Sequence, residues 1–176
     1  KVASVFCSTD FNAQTDVKKK LEDLKMFEKV DNVDMSGSAP SLMTLSQYNA
    51  LILWADTSRG CSDPTGIGNV IGQYIDAGGA VVQILPYYLN YSYSNIAGDF
   101  YNRYSLTNQY SMGNYRGATL GTKLEAHPIL DGISSVSASG NQCYHRSSLS
   151  SSQLRNGGRI VANWSDGNGM IVVGSP

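Results

Sequence analysis

Residues 50–86 read ALILWADTSRGCSDPTGIGNVIGQYIDAGGAVVQILP, and this stretch decides the fold class. Ala50–Ala55 is a continuous apolar run, as expected of a strand buried on both faces. The helix after it is punctuated: Asp63 can cap its first amides, Pro64 suits its first position, and Gly78-Gly79 stops it. Between those marks Ile67, Val70, Ile71, Tyr74 and Ile75 recur at helical spacing and form the buried stripe. Ala80–Leu85 is the next buried strand, ended by Pro86. A helix joining two apolar strands argues for a parallel α/β sheet.

Toward the amino terminus, Val2–Cys7 reads as another buried strand, closed by Ser8-Thr9-Asp10. Thr15–Val30 places Val17, Leu21, Leu24, Phe27 and Val30 on one helix face, with Lys18–Lys20 and Glu22 on the solvated side. Lys29–Met35 is a short second strand followed by a Ser/Gly/Pro loop. The expected fold is flavodoxin-like: a doubly wound, mostly parallel sheet with helices on both faces.

Toward the carboxyl terminus the composition changes. Tyr87–Arg116 holds eight of the eleven tyrosines and five asparagines, which reads as an insertion with a short helix near Ile96–Tyr104. Such a segment is either a self-packed surface excursion or a contact face. Ser134–Ser152 has nine serines in nineteen residues, a polar loop with room for one short strand. Arg159–Trp164 and Met170–Val173 flank Ser165-Asp166-Gly167-Asn168-Gly169, a hairpin signal. No repeat or linker interrupts the chain, so one domain is expected over 1–176.

Composition bounds the function. Charged residues are 15% of the chain, below the roughly 25% of an average soluble domain. Polarity comes from 23 Ser, 13 Asn and 11 Tyr instead. A net charge of -1 supplies no field for nucleic acid or an anionic membrane, and no apolar run is long enough to span a bilayer. The chain begins with Lys1 rather than Met and reads as a mature form or a segment of a longer one. Two sequons, Asn90-Tyr91-Ser92 and Asn163-Trp164-Ser165, make Asn90 and Asn163 candidate glycosylation sites and favour an extracellular or cell-surface location. Of the three cysteines, Cys7 lies in an apolar strand and reads as a buried free thiol. Cys61 and Cys143 lie in polar loops and are the expected disulfide pair.

Several stretches carry a family resemblance. They are Val17–Phe27, Tyr48–Trp54, Asp63-Pro64 with Gly68, Tyr74–Val82, His127-Pro128-Ile129-Leu130-Asp131-Gly132-Ile133, and Val161–Trp164 with Asp166-Gly167. In this order they resemble the class I glutamine amidotransferase-like superfamily, in its non-catalytic extracellular branch near the trehalose-utilisation-type proteins. The resemblance implies one further strand, as if the chain were part of a longer domain. Catalytic members carry a Gly-x-Cys-x-Gly turn after the strand matching Ala80–Leu85, where this chain has Gln83-Ile84-Leu85-Pro86-Tyr87-Tyr88. It has no nucleophile and no glycine pair to permit a strained elbow. The superfamily's His-x-Glu pair is also missing, since His127 precedes Pro128 and His145 precedes Arg146.

In doubly wound sheets, ligands bind beyond the carboxyl ends of the strands, near the reversal of strand order. The candidates there are Ser8, Thr9 and Asp10 after the first strand, Asp56, Thr57, Ser58 and Arg59 after the third, and Tyr87, Tyr88 and Asn90 after the fourth. Asp10 and Asp56 could share acid–base work, with His127 as a third participant, or bind a cation or sugar hydroxyls. Both aspartates also suit ordinary loop termination, and His127 suits a structural loop. His145 beside Cys143 does not complete a zinc set, and Gly66-Ile67-Gly68 lacks the third glycine of a dinucleotide loop. No cofactor or metal is expected. The leading expectation is a non-enzymatic extracellular structural or interaction module, self-associating through its sheet edges into a surface assembly or fibre. The alternatives are a hydrolase or carbohydrate-acting enzyme using Asp10, Asp56 and His127, and a lectin-like binder stacking tyrosines on sugars.

Overall fold

The computed structural model describes residues 1–55, 60–84, 96–108, 113–114, 117–138, 145–146 and 149–175. The described residues up to 104 form one compact unit and those from 105 onward a second.

The first unit runs β1 (Val2–Cys7), α1 (Phe11–Asp23), β2 (Val30–Asp34), α2 (Leu42–Leu45), β3 (Ala50–Ala55), α3 (Pro64–Asp76) and β4 (Ala80–Gln83). All four strands are parallel, in the order β2-β1-β3-β4. The chain steps from β1 outward to β2, then returns past β1 to β3, so strand order reverses between β1 and β3. Every residue of β1 is buried, as its apolar run requires. One face of the sheet presents Ala3, Val5, Cys7, Leu51 and Leu53 to Ile67, Val70, Ile71 and Tyr74 of α3. On the other, the rings of Phe6 and Trp54 lie 5.2 Å apart, and the Trp54 indole donates to Ser4 Oγ at 2.9 Å.

The helix α3 follows its punctuation. Asp63 Oδ1 accepts from the Gly66 amide at 2.8 Å, Pro64 opens the helix, and Gly78 at φ 91° closes it. Gly68 is a packing residue, because a Cβ there would collide with the Ala97 carbonyl. One turn on, a Cβ at Gly72 would stand 2.8 Å from Asp99 Cβ. The segment from Ile96 therefore lies directly on the α3 backbone, and its π-helical turn Phe100–Tyr104 buries Phe100 in the core.

The far end of that turn is fastened by charge. Arg103 donates both terminal nitrogens to the Asp76 carboxylate, at 2.9 and 2.7 Å, and the Tyr104 hydroxyl donates to the same group. The Arg103 hydrogen bonds, then that of Tyr104, hold the Asp76 carboxyl below its ordinary range. A carboxyl lowered in the folded state stabilises above its unfolded value, about 4, and loses that effect as pH falls through the depressed folded value. Amide exchange across 100–104, taken relative to its intrinsic rate at each pH, should therefore quicken as the pH drops through that window. In Asp76→Asn it should already be fast at neutral pH, and identical exchange in the two proteins would remove this role.

Three expectations for this unit need correction. The first helix spans Phe11–Asp23 rather than Thr15–Val30, because Asp10 caps it earlier and Lys25, at φ 54°, turns the chain out of helix. None of its residues is fully buried, and Leu24 is 55% exposed. Its charges do form a solvated face, with pairs Lys18–Glu22, Lys19–Asp23 and Lys20–Asp16 at i,i+4. Second, the loop after β2 contains α2, capped by Ser41 Oγ on the Thr44 amide and anchored by fully buried Leu45. Third, β4 is not buried on both faces: Val82 is 50% and Ile84 51% exposed. It is the outermost of the described strands, and α1 lies over β1 and β2 instead.

The second unit holds β5 (Gly113–Asn114), β6 (Ala118–Lys123), β7 (Ser137–Ala138), β8 (His145–Arg146), β9 (Arg159–Trp164) and β10 (Gly169–Val173). Its antiparallel sheet has the order β10-β9-β6, extended by the two-residue β7, while β5 pairs with β8. Leu130, Val161 and Ala162 form its core with Leu120, Ile171 and Val173. The expected hairpin is β9–β10. Its turn is held by Asp166 Oδ1 accepting from the Asn168 amide and by Gly167 at φ 87°.

Candidate functional site

The carboxyl end of β1, beside the reversal of strand order, is where a ligand would be sought. It is tied covalently: Cys7 and Cys61 form a disulfide, with Cα atoms 5.3 Å apart and exposures of 0% and 4%. This corrects both cysteine expectations. Cys7 is not a free thiol, and Cys61 is not paired with Cys143, which lies outside the described residues. The reason is positional. Cys7 ends β1 on the face that packs α3, and Cys61 immediately precedes the α3 cap, so chain topology brings the two together.

Around the disulfide, hydroxyls serve the backbone. Ser36 Oγ accepts from the Ser8 amide at 3.0 Å, and the Ser8 hydroxyl accepts from the Asp10 amide at 3.0 Å. The Ser36 carbonyl accepts from both the amide and the hydroxyl of Ser62. Asp34 Oδ1 in turn accepts from the Ser36 amide at 2.7 Å. The loops after β1, β2 and β3 are thereby laced into one knot. Ser8 and Ser36 are buried, so each unmade bond would leave a desolvated polar group, at about 1–3 kcal/mol.

Asp10 sits at the edge of this knot with its carboxylate in use. Oδ1 accepts from the Asn12 amide at 2.9 Å and the Ala13 amide at 3.1 Å, capping α1. Gln14 Nε2 adds a bond to the Ser8 carbonyl at 3.0 Å. Asp10→Ala should lower stability by about 1 kcal/mol, and Asp10→Asn by only a few tenths, since Asn caps as well as Asp. Thermal denaturation of both variants checks this; equal losses would mean the carboxylate charge, not the cap, is what matters.

Asp56, Thr57, Ser58, Arg59, Tyr87, Tyr88 and Asn90 lie outside the described residues. His127 belongs to the second unit, where its Nδ1 accepts from the Ile129 amide at 3.2 Å and opens the short turn Pro128–Leu130. Asn163 lies in β9, half-buried. Sequence reading missed Ser36, Ser62 and the partner of Cys61. A usable signal existed for the last: Cys7 closes the first strand and Cys61 lies in the loop that follows the adjacent parallel strand, at the same end of the sheet.

Among the described residues, no group of three His, Cys, Asp or Glu side chains could hold a metal ion. No helix among them is long and apolar enough to cross a membrane. Comparison with protein-family models, curated proteins and solved structures finds no match.

Proposed function

We propose that this chain is a non-enzymatic structural or interaction module of the cell exterior. The observation that carries the reading is the commitment of the described strand ends, those of β1 and β2, to structure. Where a doubly wound enzyme would expose reactive groups, Ser8, Asp10, Ser36 and Ser62 bond backbone around a buried disulfide. A hydrolase using Asp10 would have to recruit a carboxylate whose Oδ1 already caps α1 through two amides. The disulfide itself suits an oxidising compartment, since cytosolic thiols are kept reduced. The strand order β2-β1-β3-β4 agrees with the first four strands of a flavodoxin-like sheet and so with a glutamine amidotransferase-like ancestry.

Self-association through a sheet edge is the mode of interaction we favour. The β2 edge carries Asp31, Asn32 and Asp34, with Lys29 paired to Asp31 at 2.6 Å, and charge of this kind discourages strand addition. The β4 edge, Ala80-Val81-Val82-Gln83, has no charge and leaves Val82 half exposed. Negative-stain microscopy of natively isolated protein should show regular assemblies that Val82→Lys disperses into single particles. Single particles from the unaltered protein at every concentration would overturn the assembly reading.

A further inference from the structure

We infer that Asn163 is a site of N-linked glycosylation. The triplet Asn163-Trp164-Ser165 has the acceptor pattern, and it runs from half-buried Asn163 at the end of a strand into an exposed turn. Asn163 is the penultimate residue of β9, at the mouth of the hairpin turn. Directly across from it on β10 stands Gly169, which is buried against the Leu149 side chain. Among the described residues, the Asn163 carboxamide makes no hydrogen bond of its own, and converting its nitrogen to a glycosylamide sacrifices no contact. On the other flank, Gly121 lies against the Asn163 and Trp164 backbone where β6 and β9 slip register.

The third residue of the triplet is similarly placed. Ser165 is exposed, starts the turn, and pairs with Thr119 through both its amide and its hydroxyl. The chain thus leaves the sheet after Trp164, one residue beyond Asn163, and enters the exposed turn. The other sequon, at Asn90, lies outside the described residues.

The chemistry is a group transfer. The Asn163 Nδ2 displaces a lipid-linked diphosphate from the anomeric carbon of an oligosaccharide donor. The carbon–oxygen bond to the diphosphate breaks as the nitrogen–carbon bond forms, and one amide proton passes to a base on the transferring enzyme. The donor is found in the oxidising secretory compartment, so this inference rests on the same reading of location as the buried disulfide.

The test uses protein isolated from its natural source. Digestion after Arg159 releases the peptide beginning at Ile160, whose mass should exceed that of the bare sequence by a glycan. A glycosylamidase in heavy-oxygen water should remove the excess and leave a labelled aspartate at position 163. Expressed in the same cells, Ser165→Ala should lose the added mass while Ser165→Thr keeps it. An unmodified Asn163 beside an intact Cys7–Cys61 bond would overturn the glycan inference and leave the location untouched. An unmodified Asn163 beside reduced cysteines would overturn both.

Discussion

Replacing Cys7 and Cys61 together by alanine should lower the unfolding free energy by about 4 kcal/mol. In the chain-entropy account a cross-link restricts the unfolded ensemble according to the loop it closes, and this bond joins residues 54 apart. Both sulfurs are buried against β1 and the approach to α3, so the two alanines also lose packing. The effect is a large fraction of the 5–15 kcal/mol that typical domains possess. Urea denaturation of the first unit's tryptophan signal checks it, because Trp54 lies on β3 next to the stapled strand. The knot should loosen first, with exchange of the Ser8 and Ser62 amides rising before that of Leu51 and Leu53. A loss below about 1 kcal/mol would mean that the bond closes a contact the fold already holds without it.

The second large effect is expected at a residue with no side chain. Gly68→Ala drives a methyl group into the Ala97 carbonyl, and the segment has little freedom to retreat. The Ala97 amide is bonded to the Pro64 carbonyl at 3.0 Å, and the Asp99 amide to Asn69 Oδ1 at 3.0 Å. Overpacking against side chains typically costs about 1–3 kcal/mol. Here the obstacle is backbone, and a loss of roughly 3 kcal/mol or more is expected. Gly37→Ala is the matched control, since nothing lies within 4 Å of its added methyl and its φ is not positive. It should change stability by less than about 0.5 kcal/mol. Equal stability of the two variants would show that the 96–104 segment can slide off α3 at little cost.

These two sites mark where the sequence was and was not legible. The strands Val2–Cys7 and Ala50–Ala55 were readable because they are apolar throughout except for Ser4, as strands with a neighbour on each side and little solvent on either face tend to be. The α3 helix was readable because Asp63, Pro64 and Gly78 act on their immediate neighbours. What failed to register depends on distant partners. The α1 helix has no fully buried residue, so its periodicity pointed to the wrong span while its true start lay in the Asp10 cap. The exposure of Val82 reflects which neighbours β4 has, and alternation within the strand could not reveal that. The second unit's strand β6 carries Gly121 and Thr122 among few apolar residues, and only its pairing with β9 makes it a strand.

The candidate site divides the same way. Ser8 and Asp10 were located by topology alone, since they follow the first strand at the point of reversal. Their roles were not, because Ser36 joins Ser8 across 28 residues and Ser62 joins Ser36 across another 26. A serine in a polar loop carries no local mark of being a buried brace. Cys7 was misread for a related reason: an apolar strand is an ordinary place for a free thiol, and only the return of the chain before α3 supplies its partner.

The central claim is that the carboxyl end of β1 is braced covalently, by a bond from Cys7 to Cys61. Peptide mapping of the natively isolated protein, digested without reduction after alkylation of free thiols, tests it most directly. The account predicts one linked species joining the peptide of Cys7 to that of Cys61, with Cys143 in neither. Alkylated Cys7, or a linkage of Cys61 to Cys143, would contradict it.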